Sequence, residues 1–315
     1  MLKRKASVTI GPDNDGQRLL DFLVFRFTYQ DRAGWKKALA QARMLVDGRC
    51  ACEEQVLRTG QTVEYLVPDV PEPTVNTAIR FLRQEAGLLA VDKPPNLPCH
   101  PAGRYFQHTL WMILKQCGVP NPALVNRLDR ETSGIVLVAS SPWMARSCSK
   151  LFTQREVRKE YLVLVEGRFP GALTADGWLL RDAESSVRKK RRFLMGPRPR
   201  CVEAKRVRTH FARQAHGGGI SLVKALPETG RYHQIRASLN SLGFPVVGDK
   251  LYGGDETAFL RFISGELTPA DRRRLRLERQ ALHAAALSLT HPLTLRSLRW
   301  HSRLPPDMAA IADAM

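Results

Sequence analysis

Two hydrophobic periodicities alternate along most of the chain. Runs that are apolar throughout, or that alternate apolar and polar residues, are typical of strands; they fall at residues 135–139, 160–166, 220–226 and 245–248. Apolar residues that recur every three to four positions are typical of helices; they fall at residues 142–155, 233–242, 257–265 and 269–280. A further alternating segment, Ile79–Lys93, predicts a buried strand that a proline pair stops. This order predicts an α+β domain, built on a mixed, largely antiparallel sheet with flanking helices.

The first 68 residues carry a separate pattern of short elements. Helical spacing appears in residues 18–23 and again in residues 35–42. Residues 44–49 predict a strand and a turn, and residues 61–67 alternate like a closing strand. This order predicts a small α+β module in front of the larger domain.

Three prolines, Pro68, Pro71 and Pro73, separate that module from the rest of the chain. Closely spaced prolines favour extended, semi-rigid backbone, so they predict a linker. The 315 residues are enough for a large domain and a small one. The predicted boundaries are 1–68 for the module, 69–78 for the linker and 79–315 for the larger domain.

The net charge narrows the choice of partner. The chain contains 49 Lys and Arg residues against 30 Asp and Glu, which gives a formal net charge of +19 at pH 7. This excess predicts a polyanionic partner, either nucleic acid or an anionic membrane surface. No apolar run is long enough to cross a bilayer, and no apolar signal core follows the basic N-terminus. Six cysteines without a C-x-x-C pair predict reduced thiols in a cytoplasmic protein.

Residues 126–134, with the sequence N-R-L-D-R-E-T-S-G, carry the strongest candidate chemistry. They place one carboxylate, Asp129, between Arg127 and Arg130 at the start of an apolar strand. Flanking guanidinium groups favour an ionised carboxylate, which can act as a nucleophile or as a base. The alternative is structural: Asp129 caps the following turn, and the two arginines are solvated.

Several segments, taken in order, resemble the RluA family of RNA pseudouridine synthases. They are Val91–Pro94, Leu97–Pro101, Arg127–Gly134, Lys159–Gly167, Thr229–Arg236, Gly243–Asp249, Tyr252-Gly253, Ala281–Ala284 and His291-Pro292. Several long motifs in one order are far more specific than a single short motif. The sequence departs from the family at Asn126, where most members have His, and at Tyr232, where Thr is usual.

The resemblance implies an isomerase that converts uridine to pseudouridine in RNA. This reaction adds and removes no atoms, so the family needs neither a cofactor nor a metal. By resemblance, Asp129 is the catalytic residue, which attacks the sugar or the base or takes a sugar proton. Arg236 would pair with Asp129 and lower its pKa. Tyr161 would stack on the target uracil and assist proton transfer, unless it is only an aromatic residue of the core.

Other residues are candidates for binding the substrate. Arg127 could fill the gap that a flipped base leaves, because a guanidinium plane stacks on bases. Arg130 is also a candidate for binding RNA. Phosphate contacts are further predicted for a run of basic residues without any acid, expected in a loop: Arg188, Lys189, Lys190, Arg191 and Arg192. A solvated surface is the alternative for that run. Ile235 and Leu282 would form pocket walls, although both also suit the core.

Two weaker motifs are better explained without a catalytic or metal-binding role. His216-Gly217-Gly218-Gly219 is like the oxyanion loop of esterases, but no G-x-S-x-G motif accompanies it, so we expect a hairpin turn. The eight histidines form no H-x-x-x-H pair near cysteines, so no zinc site is predicted. His233 and His283 lie in family motifs and are expected to form structural hydrogen bonds.

The module at residues 1–68 resembles the alpha-L RNA-binding module of a ribosomal small-subunit protein and of several RNA-modifying enzymes. We therefore expect a monomeric cytoplasmic enzyme that acts on RNA and not on a membrane. Large-subunit ribosomal RNA is the preferred target, and transfer RNA is the alternative. Two rival functions remain: a non-catalytic RNA-binding or ribosome-assembly factor on the same scaffold, and a different uridine-modifying enzyme.

Overall fold

A computed structural model describes residues 5–27, 30–67 and 71–315 of the chain. The chain divides into two compact units, the first of which comprises residues up to 73 together with 102–106. The division falls inside the predicted linker 69–78, and Pro68 lies outside the described residues. Val75 and Ile79 pack against the apolar core of the second unit, so the end of the predicted linker belongs to that unit.

The first unit packs two helices against a four-stranded sheet. Its elements are β1 (Lys5–Thr9), a 3-10 turn (Pro12–Asn14), α1 (Leu19–Arg26), α2 (Arg32–Ala40), β2 (Met44–Val46), β3 (Arg49–Cys50) and β4 (Thr62–Leu66). The strand order is β1-β4-β2-β3, and all neighbours are antiparallel. Helix α2 begins earlier than predicted because the Asp31 side chain caps it by accepting the Gly34 N–H. Asp47 and Gly48 both have positive φ, as the two-residue turn between β2 and β3 requires.

The second unit is built on an 11-stranded sheet. Its strands are β5 (Arg80–Glu85), β6 (Leu88–Lys93), β7 (Ala123–Leu124), β8 (Ser133–Ala139), β9 (Arg158–Glu166), β10 (Ala172–Arg181), β11 (Arg191–Met195), β12 (Lys205–Gly217), β13 (Ile220–Pro227), β14 (Leu282–Thr290) and β15 (Ser297–His301). Its helices are α3 (Leu110–Gln116), α4 (Pro142–Gln154), α5 (Gln234–Ser241), α6 (Thr257–Ser264), α7 (Pro269–Leu275) and α8 (Pro306–Ala312). No helix among the described residues is long and apolar enough to span a membrane.

The strand order is β11-β10-β12-β13-β9-β14-β8-β6-β5, with β15 beside β14 and β7 beside β8. Among the described strands, β8 and β14 form the single parallel pair, and every other pairing is antiparallel. The predicted α+β fold with a mixed, largely antiparallel sheet is therefore confirmed. The Gly218-Gly219 hairpin between β12 and β13 is confirmed as well, with φ of +58° and +74°.

Three predicted elements are wrong in part. The segment Ile79–Lys93 is not one strand but a hairpin, in which β5 and β6 pair antiparallel around a turn at Ala86 and Gly87, both with positive φ. Residues 245–248 form no strand; Val246 makes a single bridge to Val165 before the chain turns at Gly248. The helix predicted over 269–280 ends at Leu275, because Arg276 has a φ of +61° and leaves the helical region. The following residues run extended toward β14, where they contribute contacts to the site described below.

Gly134 permits the parallel pairing at the centre of the sheet. It pairs with Ala284 of β14 and has a φ of +111°, a region that side chains rarely adopt. A Cβ at this position would lie 2.3 Å from the Ala284 carbonyl oxygen. Only glycine therefore lets β8 approach β14 this closely.

Replacing Gly134 with alanine should lower the thermal unfolding midpoint. Backbone strain alone costs about 1–3 kcal/mol, and the collision with Ala284 adds to it. A loss of about 2 kcal/mol corresponds to a fall of about 4–8 °C in a domain of this size. Gly171→Ala is the matched control, because a Cβ there meets no atom within 4 Å. Equal midpoints in differential scanning calorimetry would show that the two strands do not constrain this position.

Candidate active site

The parallel pair β8–β14 brings distant segments of the sequence together. Asp129 lies in the loop that leads into β8, and Gln280 lies in the segment that leads into β14. Tyr161 of β9 pairs with Ala284 of β14. The three side chains therefore gather at one end of the central strands, and helix α5 adds Arg236 from the side.

The Asp129 carboxylate is held at one oxygen. Its Oδ2 accepts a hydrogen bond from Arg236 Nη1 at 2.7 Å and one from Gln280 Nε2 at 3.3 Å. His233 Nε2 lies 3.8 Å from the same oxygen. Among the described residues nothing donates a hydrogen bond to Oδ1, and the side chain is 28% exposed. One oxygen is thus anchored and the other is accessible.

Arg236 is itself fixed from behind by a second carboxylate. Its Nε and Nη2 donate to the two oxygens of Asp249 at 2.6 and 2.9 Å, a bidentate pair in which the Asp249 side chain is fully buried. Asp249 Oδ1 also accepts the backbone N–H groups of Leu251 and Tyr252. The guanidinium therefore has one orientation, with Nη1 directed at Asp129.

This arrangement determines the charge of Asp129. Burial alone would raise the pKa of the Asp129 carboxyl, but the Arg236 charge and the hydrogen bonds from Arg236 and Gln280 outweigh it and hold the pKa below its usual value. The same guanidinium lowers the pKa of Asp249 against its burial. Both carboxylates are therefore ionised at neutral pH.

The loop that carries Asp129 is tied down on both sides. Lys93, which is fully buried, donates to the carbonyl oxygens of Pro94, Leu97 and Arg130 at 2.8, 2.9 and 3.2 Å. Burial lowers the pKa of Lys93 to about 8.

On the other side of the loop, Gln280 Nε2 donates to Thr132 Oγ1 at 2.6 Å. Lys250 Nζ lies 3.1 Å from both oxygens of Glu131. The loop around Asp129 is consequently held by residues from three distant segments.

Tyr161 stands on β9 beside the carboxylate, and its ring packs against the buried core. Burial, together with the Asp129 charge, raises the pKa of Tyr161 to about 12. Its hydroxyl therefore keeps its proton at neutral pH, and it has no hydrogen-bond partner within the described part of the chain. Ile235 and Leu282 are buried in the same core cluster that Tyr161 packs against.

A second aromatic group borders the site at the start of α5. His233 Nδ1 lies 3.0 Å from the Tyr252 hydroxyl, which accepts the backbone N–H of Arg191 at 2.9 Å. Burial, chiefly, lowers the pKa of His233 to about 3. A neutral imidazole that accepts the Tyr252 proton at Nδ1 carries its own proton on Nε2, facing Asp129. The expected structural hydrogen bond is present, and it also places His233 at the site.

His283, the other histidine expected to form structural hydrogen bonds, makes contacts that link strands of the sheet. His283 Nδ1 lies 3.0 Å from Ser133 Oγ, and its Nε2 lies 3.2 Å from the Ser302 carbonyl oxygen. These contacts link β8, β14 and the segment after β15.

The two arginines beside Asp129 differ in their surroundings. Arg127 is exposed, and its guanidinium makes no hydrogen bond or ion pair with any described residue. Arg130 donates to Glu131 Oε1 at 3.2 Å and lies 5.1 Å from the centre of the Phe262 ring. Of these two arginines, Arg127 is therefore the one whose guanidinium is available to a bound molecule.

The basic run at 188–192 is divided between a loop and a strand, so its prediction as a loop throughout is wrong. Arg191 and Arg192 begin β11 and pair with Arg181 and Leu180 of β10. Only Arg188, Lys189 and Lys190 precede the strand.

The charges of this run also have different partners. Lys190 Nζ is 2.9 Å from Glu256 Oε2, and Arg192 Nη1 is 3.5 Å from Glu184. Glu256 also accepts hydrogen bonds from Ser185 and Ser186 and so fixes the loop. Arg188 and Lys189 are exposed and form no ion pair with any described residue.

Sequence reasoning missed Asp249, Gln280 and the loop anchor Lys93 as parts of the site. Asp249 and Lys93 both lie in segments that resemble the RluA family, and this resemblance could have indicated that they belong to the site. Gln280 had no signal, because a helix was predicted across it. Within the described ranges no three His, Cys, Asp or Glu side chains are grouped so as to hold a metal ion.

The chain is similar to known proteins in both sequence and fold. A family model described as RNA pseudouridylate synthase matches residues 87–241. Ribosomal large subunit pseudouridine synthase D of Nitrosomonas europaea is 31% identical, over 96% of this chain and 86% of that protein. The mitochondrial tRNA pseudouridine(32) synthase of Saccharomyces cerevisiae is also 31% identical, over 76% of this chain and 51% of that protein.

The solved structure of human RNA pseudouridylate synthase domain containing 1 is similar in fold, with a TM-score of 0.59 and 25% sequence identity. The similarity covers 76% of this chain and 90% of the human chain. The match to the family model spans the segments that carry Asp129, Tyr161 and Arg236. By its 31% identity over most of a curated synthase and its match to the family model, the chain belongs to the RluA family of RNA pseudouridine synthases, which are isomerases.

Proposed function

We propose that this enzyme isomerises uridines of large-subunit ribosomal RNA and that Asp129 is its catalytic residue. The observation that carries the proposal is the carboxylate itself: it is ionised by a buried guanidinium, anchored at one oxygen and accessible at the other. The rival function, a non-catalytic RNA-binding factor, has no need of a charge arranged in this way.

The reaction breaks the bond between the ribose and the ring nitrogen, turns the uracil and rejoins it through carbon. An ionised carboxylate can serve as the nucleophile toward sugar or base, or as the base that takes a sugar proton. Asp129 Oδ1 is the oxygen that faces the substrate in each case, because Oδ2 is engaged by Arg236. Arg236 then acts as a positioning residue that keeps the charge and the direction of the carboxylate.

Tyr161 and Arg127 complete the proposed site. The ring of Tyr161 would stack on the target uracil. Its hydroxyl keeps its proton at neutral pH, so it would assist proton transfer as a relay: as it accepts the proton that leaves the ring carbon, it releases its own proton to solvent. The uracil must leave its stack to reach Asp129, at a cost of a few kcal/mol. Arg127, exposed and unpaired among the described residues, is suited to fill the vacated position.

The names of the relatives support the choice of large-subunit ribosomal RNA as the proposed target. The Nitrosomonas europaea protein, named for the ribosomal large subunit, aligns with 96% of this chain, whereas the yeast protein, named for tRNA, aligns with 76%. The strongly basic composition also suits a large structured RNA. We further propose that the first unit binds RNA, as its alpha-L-like order of elements suggests.

Asp129→Asn should abolish turnover and leave binding nearly intact, because the change keeps the size of the side chain and removes only its charge. Wild type and variant would be incubated with unmodified transcripts of large-subunit ribosomal RNA and of transfer RNAs, and pseudouridine would be mapped at nucleotide resolution. Product from the variant would exclude Asp129 as the catalytic residue. Wild-type product on transfer RNA alone would overturn the proposed target but not the site.

The double variant Arg236→Gln/Asp249→Asn should make the reaction rate fall at acidic pH. Removing both charges together avoids leaving Asp249 buried without a partner. Burial then raises the pKa of Asp129, so the single-turnover rate should fall as pH drops from about 8 to about 5. The wild-type rate should stay level over that range, because Arg236 holds the pKa of Asp129 low. Parallel profiles for the two proteins would show that Arg236 does not set the charge.

Replacing Arg188 and Lys189 together with alanine should weaken RNA binding and flatten its salt dependence. Each lost phosphate contact reduces the slope of log affinity against log salt by about 0.7–0.9, so we expect a change of about 1.5. Lys190→Ala is the comparison, because its charge is already paired with Glu256; it should leave the slope unchanged. Equal slopes for all three proteins, measured by fluorescence anisotropy, would assign the run to solvated surface.

A further inference from the structure

Tyr232 presents an exposed aromatic ring beside the catalytic carboxylate. Its side chain remains 48% exposed, although the ring lies 3.8 Å from the imidazole of His233, at an angle of 20°. The same imidazole lies 3.8 Å from Asp129 Oδ2, so only the His233 ring separates the Tyr232 ring from that carboxylate. A large apolar face so near to a catalytic group needs an explanation, since Thr is usual at this position in the family.

The support beneath the ring is rigid. His233 has a φ of +58°, a strained backbone conformation for a non-glycine residue, and it directly precedes α5. Its imidazole is buried and is bound to the Tyr252 hydroxyl at 3.0 Å, with the Tyr252 ring crossing it edge-on. Tyr232 therefore rests on a fixed ring and does not close over a mobile one.

A guanidinium accompanies the aromatic ring. Arg191 lies 5.8 Å from the centre of the Tyr232 ring, and its backbone N–H is bound to the same Tyr252 hydroxyl. Its Nη1 reaches only a carbonyl oxygen, that of Lys190 at 3.4 Å, and no carboxylate pairs with it among the described residues. An exposed ring next to an uncompensated guanidinium is the combination that proteins use to hold an unpaired nucleotide.

We propose that Tyr232 stacks on a nucleotide next to the target uridine, and that Arg191 contacts the phosphate of that nucleotide. The inference rests on the proposed function, because it assumes that the uridine itself lies between Asp129 and Tyr161. The stacked Tyr232–His233 pair then holds the strand open after the uridine has turned out. Stacking tolerates any base, so this contact sets the position of the RNA and not its sequence.

Photocross-linking tests the contact without requiring turnover. Because any base can stack, transcripts of large-subunit ribosomal RNA and of transfer RNAs would be prepared in four forms, each with a halogenated photoreactive analogue of one of the four bases. They would be irradiated with the protein, and the cross-linked residues would be identified by mass spectrometry. We expect a cross-link at Tyr232 and none at Phe81 or Trp143, whose exposures are 50% and 49%. Cross-links that spare Tyr232, or no cross-link to either RNA, would overturn the proposal.

Kinetics then separates stacking from packing. Tyr232→Leu keeps an apolar contact with His233 but removes the ring. Its kcat/KM on the transcript that wild type modifies should fall about 5- to 150-fold, the value of one base–aromatic stack. Tyr232→Phe should recover most of the loss, and Phe81→Leu should show none.

An abasic nucleotide placed beside the modified uridine should slow wild type by a similar factor and have no further effect on Tyr232→Leu. Full activity of Tyr232→Leu would overturn this inference but would not affect the proposed catalytic role of Asp129. A wild type that modifies neither RNA would instead overturn the proposed function, and the cross-link would then decide the stacking contact separately.

Discussion

A guanidinium buried between two carboxylates is the interaction on which the site depends. Arg236 satisfies both oxygens of Asp249 and still directs one N–H at Asp129. Asp249 could not be buried as an ion without Arg236, and removing one partner of such a pair costs about 3–5 kcal/mol. The negative charge of Asp129 is therefore maintained by a guanidinium that also stabilises the buried Asp249 carboxylate.

The sheet determines where this interaction can form. The parallel pairing of β8 with β14 places Asp129 and Gln280 at one end, and Gly134 allows the two strands to approach. Lys93 fixes the loop by binding three carbonyl oxygens. Because these contacts come from segments far apart in sequence, the geometry of one carboxylate reports on the folding of most of the second unit.

The fold class and much of the site were accessible from the sequence, for identifiable reasons. Strong local patterns such as residues 135–139 and 142–155 predicted β8 and α4, since burial on one or both faces leaves a periodic trace. The contact between Arg236 and Asp129 was expected from the family resemblance, and the structure contains it. Asp249 and Gln280 were missed because their importance lies in tertiary contacts that no local pattern records.

The errors had equally local causes. Val246 and Val247 look like a strand because they are apolar, yet they are buried without a strand partner beyond one bridge. Arg191 and Arg192 look like a loop because they are charged, yet they pair with β10 at the sheet edge. Similarly, the charges of the basic run could not be divided into paired and available residues until Glu256 was placed beside Lys190.

Asp129 is ionised because the Arg236 guanidinium lowers the pKa of its carboxyl. The direct measurement is the pH titration of the Asp129 carboxyl carbon by NMR, with ¹³C-labelled aspartate and Asp129→Asn to assign the signal. This resonance should not titrate between about pH 8 and pH 5, since the pKa of Asp129 lies below its usual value. A titration midpoint above about pH 5 would contradict it, because burial would then outweigh the guanidinium and Asp129 would be partly neutral where the enzyme works.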